Sequence, residues 1–219
     1  MGTRQPHLPA KDRAYEHVKE RILTGVYPGG ELLSEGEVAD AVGVSRTPVR
    51  EAFLLLEAEG LMRLYPKRGA LIVPVSPDEI EDVMDTRLLV ERHAALRVAQ
   101  RPPAGFAARL DEILATQRAA LDAGDQAAFV EADRDFHRTI VESAGNAILA
   151  RLYDQLRDRL RRMSATAIAR EPAVAERFWT EHHAIADALG RGDGEGAGVL
   201  LARHLEGARG ALQGGQLPD

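Results

Sequence analysis

The stretch from Ser34 to Gly60, SEGEVADAVGVSRTPVREAFLLLEAEG, constrains this chain more than any other. It predicts two short helices joined by a tight turn. Ser34 and Glu37 have the spacing of a capping box that starts the first helix. Val38, Ala39, Val42 and Val44 supply its apolar side, and Gly43 permits the turn. Ser45 is a good N-cap for the second helix, and Pro48 falls in its first turn, where a missing N–H costs little. Val49, Phe53 and Leu56 form one inward stripe, and Gly60 ends the helix. Arg46 and Arg50, four apart, project together from the opposite side near the helix N-terminus. That is the plan of a recognition helix, whose first residues reach base edges and phosphates in the major groove of DNA. The same spacing also suits a structural αα-hairpin with two solvated arginines.

The flanks extend the pattern. Asp12 to Thr24 is helical, with Tyr15, Val18, Ile22 and Leu23 inward, after an arm from Met1 to Ala10 with no fold-forming pattern. Leu61–Tyr65 and Ala70–Val75 are strand-like runs around Pro66-Lys67-Arg68-Gly69, a basic hairpin beside the second helix. Its glycine tip could approach a DNA backbone closely, with Lys67 and Arg68 meeting phosphates. A solvated tip is the alternative.

The charge distribution fits this division. The net charge of −6 would oppose DNA binding if it were spread evenly, but residues 1–75 hold 10 basic and 10 acidic side chains, whereas residues 76–219 hold 18 and 24. The acidic excess is therefore confined to the second part. The absence of cysteine excludes disulfides and thiolate chemistry and suits a reducing compartment. No apolar run has transmembrane length and MGTRQPHLPA lacks a signal-peptide core, so the expectation is a cytoplasmic protein without a membrane partner.

Ser76-Pro77-Asp78-Glu79 marks a boundary: an N-cap, a proline at the first helical position and a capping-box glutamate. Beyond it the periodicity predicts six helices, near 77–100, 104–122, 125–143, 146–170, 173–190 and 194–212, and a frayed tail. Short connections argue for an antiparallel bundle. The expected fold is mainly α, a winged helix-turn-helix with a small β-hairpin (1–75) followed by an all-helical domain (76–219).

Several polar residues sit where the bundle should be apolar. Asp133 and His137 lie on or beside the stripe of Phe129, Phe136 and Ile140. His182 lies on the stripe of Phe178, Ile185 and Leu189, with His183 rotated away by about 100°. His204 lies among Leu200, Leu201 and Leu205. Three helices thus send histidine inward, and one adds a carboxylate, a donor set suited to a first-row divalent cation such as zinc, nickel or manganese. A single inward histidine is more often a hydrogen-bonded core residue than a ligand. Arg87 and Glu91 lie near the inward side of 77–100, where they could form an i,i+4 salt bridge or, through Arg87, face an anion. Asn146 reads as a helix N-cap.

GVSRTPVREAFLLLEAEGL, preceded by YPGGELLSEGEVADA and followed by PKRGALIVPV, closely resembles the N-terminal domain of the GntR family of bacterial transcription factors. The resemblance implies DNA contacts from Arg46, Thr47, Arg50 and Gly69; Ser45 at the start of the second helix and Lys67 and Arg68 at the hairpin tip complete the candidate DNA-binding set. Gly36 departs from members such as the fatty-acid regulator FadR, which carry a DNA-contacting arginine there. The pattern Asp133-Arg-Asp-Phe-His137, Ala144-Gly145-Asn146, Glu181-His182 and His204-Leu205 resembles the FadR C-terminal domain, FCD, in its VanR-like branch. That resemblance implies metal ligation by Asp133, His137, His182 and His204. It also implies an effector site involving Arg87, Glu91 and Asn146. The implied protein is a homodimeric regulator, a repressor most often in such families, that binds operator DNA under control of a small carboxylate. The alternatives are a metal-independent acyl-CoA or lipid-responsive regulator and a metal-dependent hydrolase. No HExxH is present, and no glutamate is evidently placed as a general base for the latter.

Overall fold

The structure is a computed structural model describing residues 8–66, 68–171 and 173–214, with Arg170 described through its backbone only. Lys67, the Pro172 break, residues 1–7 of the expected arm and the tail from 215 lie outside the described residues. The chain divides into two compact units, Met1–Val75 and Ser76–Asp219. It is mainly helical, as expected.

In the first unit, α1 (Ala10–Leu23) buries Ala14, Val18, Ile22 and Leu23 and packs on α3 (Arg46–Ala58). It starts two residues before the sequence expectation. The helix α2 (Glu35–Val42) has the predicted capping box: Ser34 Oγ accepts from Glu37 N–H at 3.1 Å, and Glu37 Oε2 accepts from Ser34 N–H at 3.0 Å. Gly43 closes it at φ 68°, left-handed backbone that glycine adopts without strain. Arg13 reaches from α1 to the last carbonyls, those of Val42 and Gly43. Ser45 holds the N-cap position of α3 with extended backbone, but its hydroxyl makes no capping bond, contrary to expectation. Val49, Ala52, Phe53 and Leu56 are fully buried and join α1, α2 and the strands in one core.

The wing differs from the expected two-stranded hairpin. Strands β2 (Met62–Tyr65) and β3 (Gly69–Ile72) pair antiparallel, with Leu64 opposite Ala70. A two-residue strand, β1 (Leu32–Leu33), adds to the other side of β3, pairing Leu33 with Ala70. Two residues carry no readable alternation, so periodicity could not reveal it. Its presence explains Gly69, which sits at φ 103°, where a Cβ would lie 2.5 Å from the Leu33 carbonyl oxygen. The third strand therefore requires a glycine there regardless of DNA.

The second unit contains seven helices among the described residues, not six. They are α4 (Pro77–Gln100), α5 (Phe106–Ala123), α6 (Gln126–Ser143), α7 (Ala147–Asp154), α8 (Arg157–Arg170), α9 (Ala173–Gly190) and α10 (Gly194–Gln213). The predicted helix 146–170 is broken at Gln155 and Leu156, whose N–H groups bond back only three residues, to Leu152 and Tyr153. Neither glycine nor proline marks this turn. Tyr153 is drawn inward to Glu91, while Arg162 on α8 pairs with Glu79 at 2.8 Å. Glu79 is thereby engaged with α8; Ser76 caps α4 alone, without the predicted reciprocal bond. α4 and α10 pack closely because α10 opens with glycines. A Cβ at Gly194 would stand 2.9 Å from Ala99 Cβ, and one at Gly198 would stand 3.1 Å from Arg92 Cγ. No helix of the described residues is long and apolar enough to cross a membrane.

Candidate nucleic-acid interface and metal centre

Burial of Val49, Phe53 and Leu56 turns the opposite face of α3 outward. Ser45, Arg46, Thr47 and Arg50 are exposed there, as is Arg68 at the wing tip. Among the described residues no carboxylate pairs with Arg46, Arg50, Arg63 or Arg68. Many half-buried arginines of the helical unit, by contrast, have acidic partners, such as Arg118 with Glu176 and Arg138 with Asp154. Unpaired guanidinium groups on one helix face and the adjacent hairpin are available to phosphates and base edges. The Arg46 guanidinium lies over Gly36: a Cβ there would be 3.4 Å from Arg46 Nη2. Gly36 thus leaves room for Arg46, a role its absent side chain did not suggest.

In the helical unit, Asp133, His137, His182 and His204 are all buried, with ligand atoms within 4.8 Å of one another. Helical spacing brings Asp133 and His137 to one face of α6; α9 and α10 contribute His182 and His204. His183 is exposed and meets Trp179 edge-on, 5.3 Å between ring centroids, as its rotation off the stripe predicts.

Each histidine has a polar neighbour behind it. His182 Nδ1 lies 3.0 Å from Gln117 Oε1, and His204 Nδ1 lies 2.7 Å from Glu181 Oε2. His137 Nδ1 makes a close contact, 2.8 Å, with Glu91 Oε2. Acceptors at Nδ1 of His182 and His204 keep the proton there and leave those Nε2 lone pairs facing inward, whereas Glu91 stands beside His137 Nδ1 outside hydrogen-bond geometry. The result is a cluster unsatisfied by itself. His182 and His204 Nε2 stand 3.3 Å apart with no proton left to share, and the buried His137 Nε2 has no hydrogen-bond partner. Asp133 Oδ1 lies 3.7 Å from His182 Nε2, and Oδ2 accepts from Ser164 Oγ at 2.9 Å. Such separations suit donors sharing one cation at about 2.0–2.1 Å each, so the residues fit a divalent first-row ion.

Electrostatics agrees. Burial pushes the His182 imidazole well below its ordinary pKa, and His204 and His137 add to the effect. Burial also lowers His204, against the opposing pull of Glu181. Both therefore favour the neutral form that ligates. Burial alone would raise Glu91, yet Arg87 and His137 hold it well below the carboxylate range. Arg87 Nε donates to Glu91 Oε1 at 2.7 Å, and Tyr153 Oη donates to the same oxygen at 2.6 Å. The i,i+4 bridge thus exists, but it is buried and backs a histidine.

All seven helices send a polar side chain inward here. Gln117, Tyr153, Ser164 and the role of Glu181 were missed by sequence reasoning. Gln117 did leave a signal, since it interrupts the stripe Leu110, Ile113, Leu114 and Ala120 of α5. Asn146 is the N-cap of α7, as its residue pattern predicts, and accepts from the N–H groups of Ile148 and Leu149. It is absent from the cavity beside the cluster, where Arg87, Asp133, Ser164 and His204 form the polar end.

Known proteins share both halves. The family profile "Bacterial regulatory proteins, gntR family" matches residues 10–72, and that of the FCD domain matches residues 82–207. This chain belongs to the GntR family and carries an FCD domain. A relative from Streptomyces ambofaciens, an uncharacterized HTH-type transcriptional regulator, is 32% identical over 87% of this chain and 80% of its own length. The HTH-type transcriptional repressor RspR of Escherichia coli is 28% identical over 92% of this chain and 88% of its own. The crystal structure of a putative GntR regulator from Rhodococcus superposes with a TM-score of 0.75 at 26% identity, covering 94% of this chain and 99% of that one. As a GntR-family protein, this chain is a DNA-binding transcriptional regulator and not an enzyme.

Proposed function

We propose that this GntR-family regulator is a homodimeric, cytoplasmic repressor whose operator binding is controlled by a small carboxylate at a divalent metal ion. Asp133, His137, His182 and His204 would hold the ion, with zinc, nickel and manganese suited to the donor set. When bound, the ion supplies a Lewis-acidic position for an exogenous anion. Arg87, lining the adjacent cavity, would meet the anion's other edge. Ser45, Arg46, Thr47, Arg50, Arg68 and Gly69 would form the DNA face, and Lys67 is a further candidate contact by its sequence position alone. The single observation that carries the reading is the convergence of four buried donors, the Asp133 carboxylate and the imidazoles of His137, His182 and His204, with ligand atoms within 4.8 Å of one another.

The cavity beside the cluster measures about 10 Å³, room for about one water, which favours a small effector over an acyl-CoA. Exposed Leu89, Ile148, Leu152 and Val199 support a self-association surface on the helical unit. The relative RspR is named a repressor, which supports the sign of the control. Effector binding would shift operator affinity by the difference in its affinity for the two protein states, typically about 1–3 kcal/mol. The test is an operator shift assay with metal-loaded and chelated protein, with and without a carboxylate panel. A carboxylate that changes DNA affinity only in loaded protein supports the reading; equal effects in chelated protein refute it.

A further inference from the structure

We propose that the effector is a monocarboxylate with an apolar body, and that polycarboxylic and sugar acids are excluded. The inference rests on the metal-and-carboxylate reading above and narrows its ligand class. It follows from the charge and lining of the cavity beside the cluster.

Fixed charge is nearly balanced there. Glu91 neutralises Arg87 at 2.7 Å, and both are buried. Asp133 offsets half the charge of a dication. Glu181, behind His204, is a quarter exposed and lies 3.9 Å from Arg177, so solvent and that arginine compensate it. A loaded centre therefore retains one positive charge, and one carboxylate group neutralises it. A second would meet only the Arg87 guanidinium, whose charge Glu91 already offsets, and would leave a net buried negative charge, which is strongly unfavourable.

The lining repeats the restriction. Past the polar end, the wall consists of Met84, Met163, Phe178 and Leu212, with Ala167 and Ala208 between them. Among the described lining residues the uncharged hydrogen-bonding side chains are Ser164 and His204, both at the polar end, where the Ser164 hydroxyl donates to Asp133 and His204 is one of the metal-ligand candidates. Hydroxyl groups of a sugar acid would lose their water and find no replacement. An aliphatic or aryl body would gain apolar contact. Two of the chain's four methionines, Met84 and Met163, stand at this wall. Their unbranched side chains can move aside to enlarge a space that now holds about one water.

The test is calorimetry on the zinc-loaded full chain with matched pairs: hexanoate against adipate, benzoate against terephthalate, and gluconate as a polyol acid. Hexanoate and benzoate should each bind at least about ten-fold more tightly than the diacid twin, with no heat from gluconate and no binding after chelation. A diacid that equals its twin, or gluconate matching hexanoate, overturns this inference and leaves a carboxylate at the metal intact. Monoacid binding that survives chelation, or no probe binding at all, overturns the underlying reading and this inference with it. Met163→Lys, checked for folding by circular dichroism, places a cation on the wall and should bring adipate to at least the affinity of hexanoate. A folded variant that keeps the original preference contradicts the charge argument.

Discussion

Glu91 illustrates how one buried side chain serves two neighbours. One oxygen accepts from Arg87 and Tyr153, and the other faces His137. Removing Arg87 would leave that carboxylate without its cation in a dry site, so Arg87→Ala should destabilise the helical unit by about 3–5 kcal/mol, measured by thermal melting. A loss within experimental error would mean that water already solvates the pair. Gln117 is simpler: it holds only His182 Nδ1. Gln117→Leu should weaken metal affinity about 10–100-fold, because the imidazole loses its fixed tautomer and orientation. Competition with a chromophoric chelator measures this, and unchanged affinity would show that the backing contact is incidental. The inward direction of Asp133, His137, His182 and His204 could be read from helical spacing, because a polar residue on an apolar stripe stands out. Tyr153 and Ser164 could not be read that way. An aromatic or a small hydroxyl on such a stripe is unremarkable until the partner from a distant helix is known.

At the scale of elements, α3 was legible because its cap position, first-turn proline and apolar stripe agree. Its exposed arginines carry the DNA prediction. Arg46→Ala and Arg50→Ala should each weaken operator binding by roughly 1–3 kcal/mol if the contact is bidentate to a base. Full-affinity specific binding by the double variant would remove α3 from the interface. The wing gives a contrasting case. Gly69→Ala should lower the melting temperature of the chain even without DNA, since its backbone is left-handed and a Cβ would meet the Leu33 carbonyl. An unchanged melting temperature with impaired DNA binding would assign Gly69 to the nucleic acid alone. β1 and the break between α7 and α8 were illegible for a shared reason. Both are imposed by tertiary partners: β3 in the first case, and Glu91 and Glu79 in the second. Neither leaves a local pattern or a breaker residue.

Across the whole molecule, the division of charge was visible in composition, and an acidic helical unit accompanies an electrically balanced winged-helix unit. Composition could not reveal that the acidic unit is laced with ion pairs, nor that all seven of its helices meet around four ligand-capable side chains. This convergence links the bundle's stability to its ligand. Any ion bound only by the folded cluster should raise the melting temperature by mass action, and chelation should reverse the gain. The central claim is most directly tested by metal titration, followed by elemental analysis, of the wild-type chain, His182→Ala and His183→Ala. The two histidines are adjacent in sequence, but one is buried in the cluster and the other exposed. The account predicts one equivalent of divalent metal in the wild type and in His183→Ala, and its loss in His182→Ala. Retention by His182→Ala together with loss in His183→Ala would contradict it.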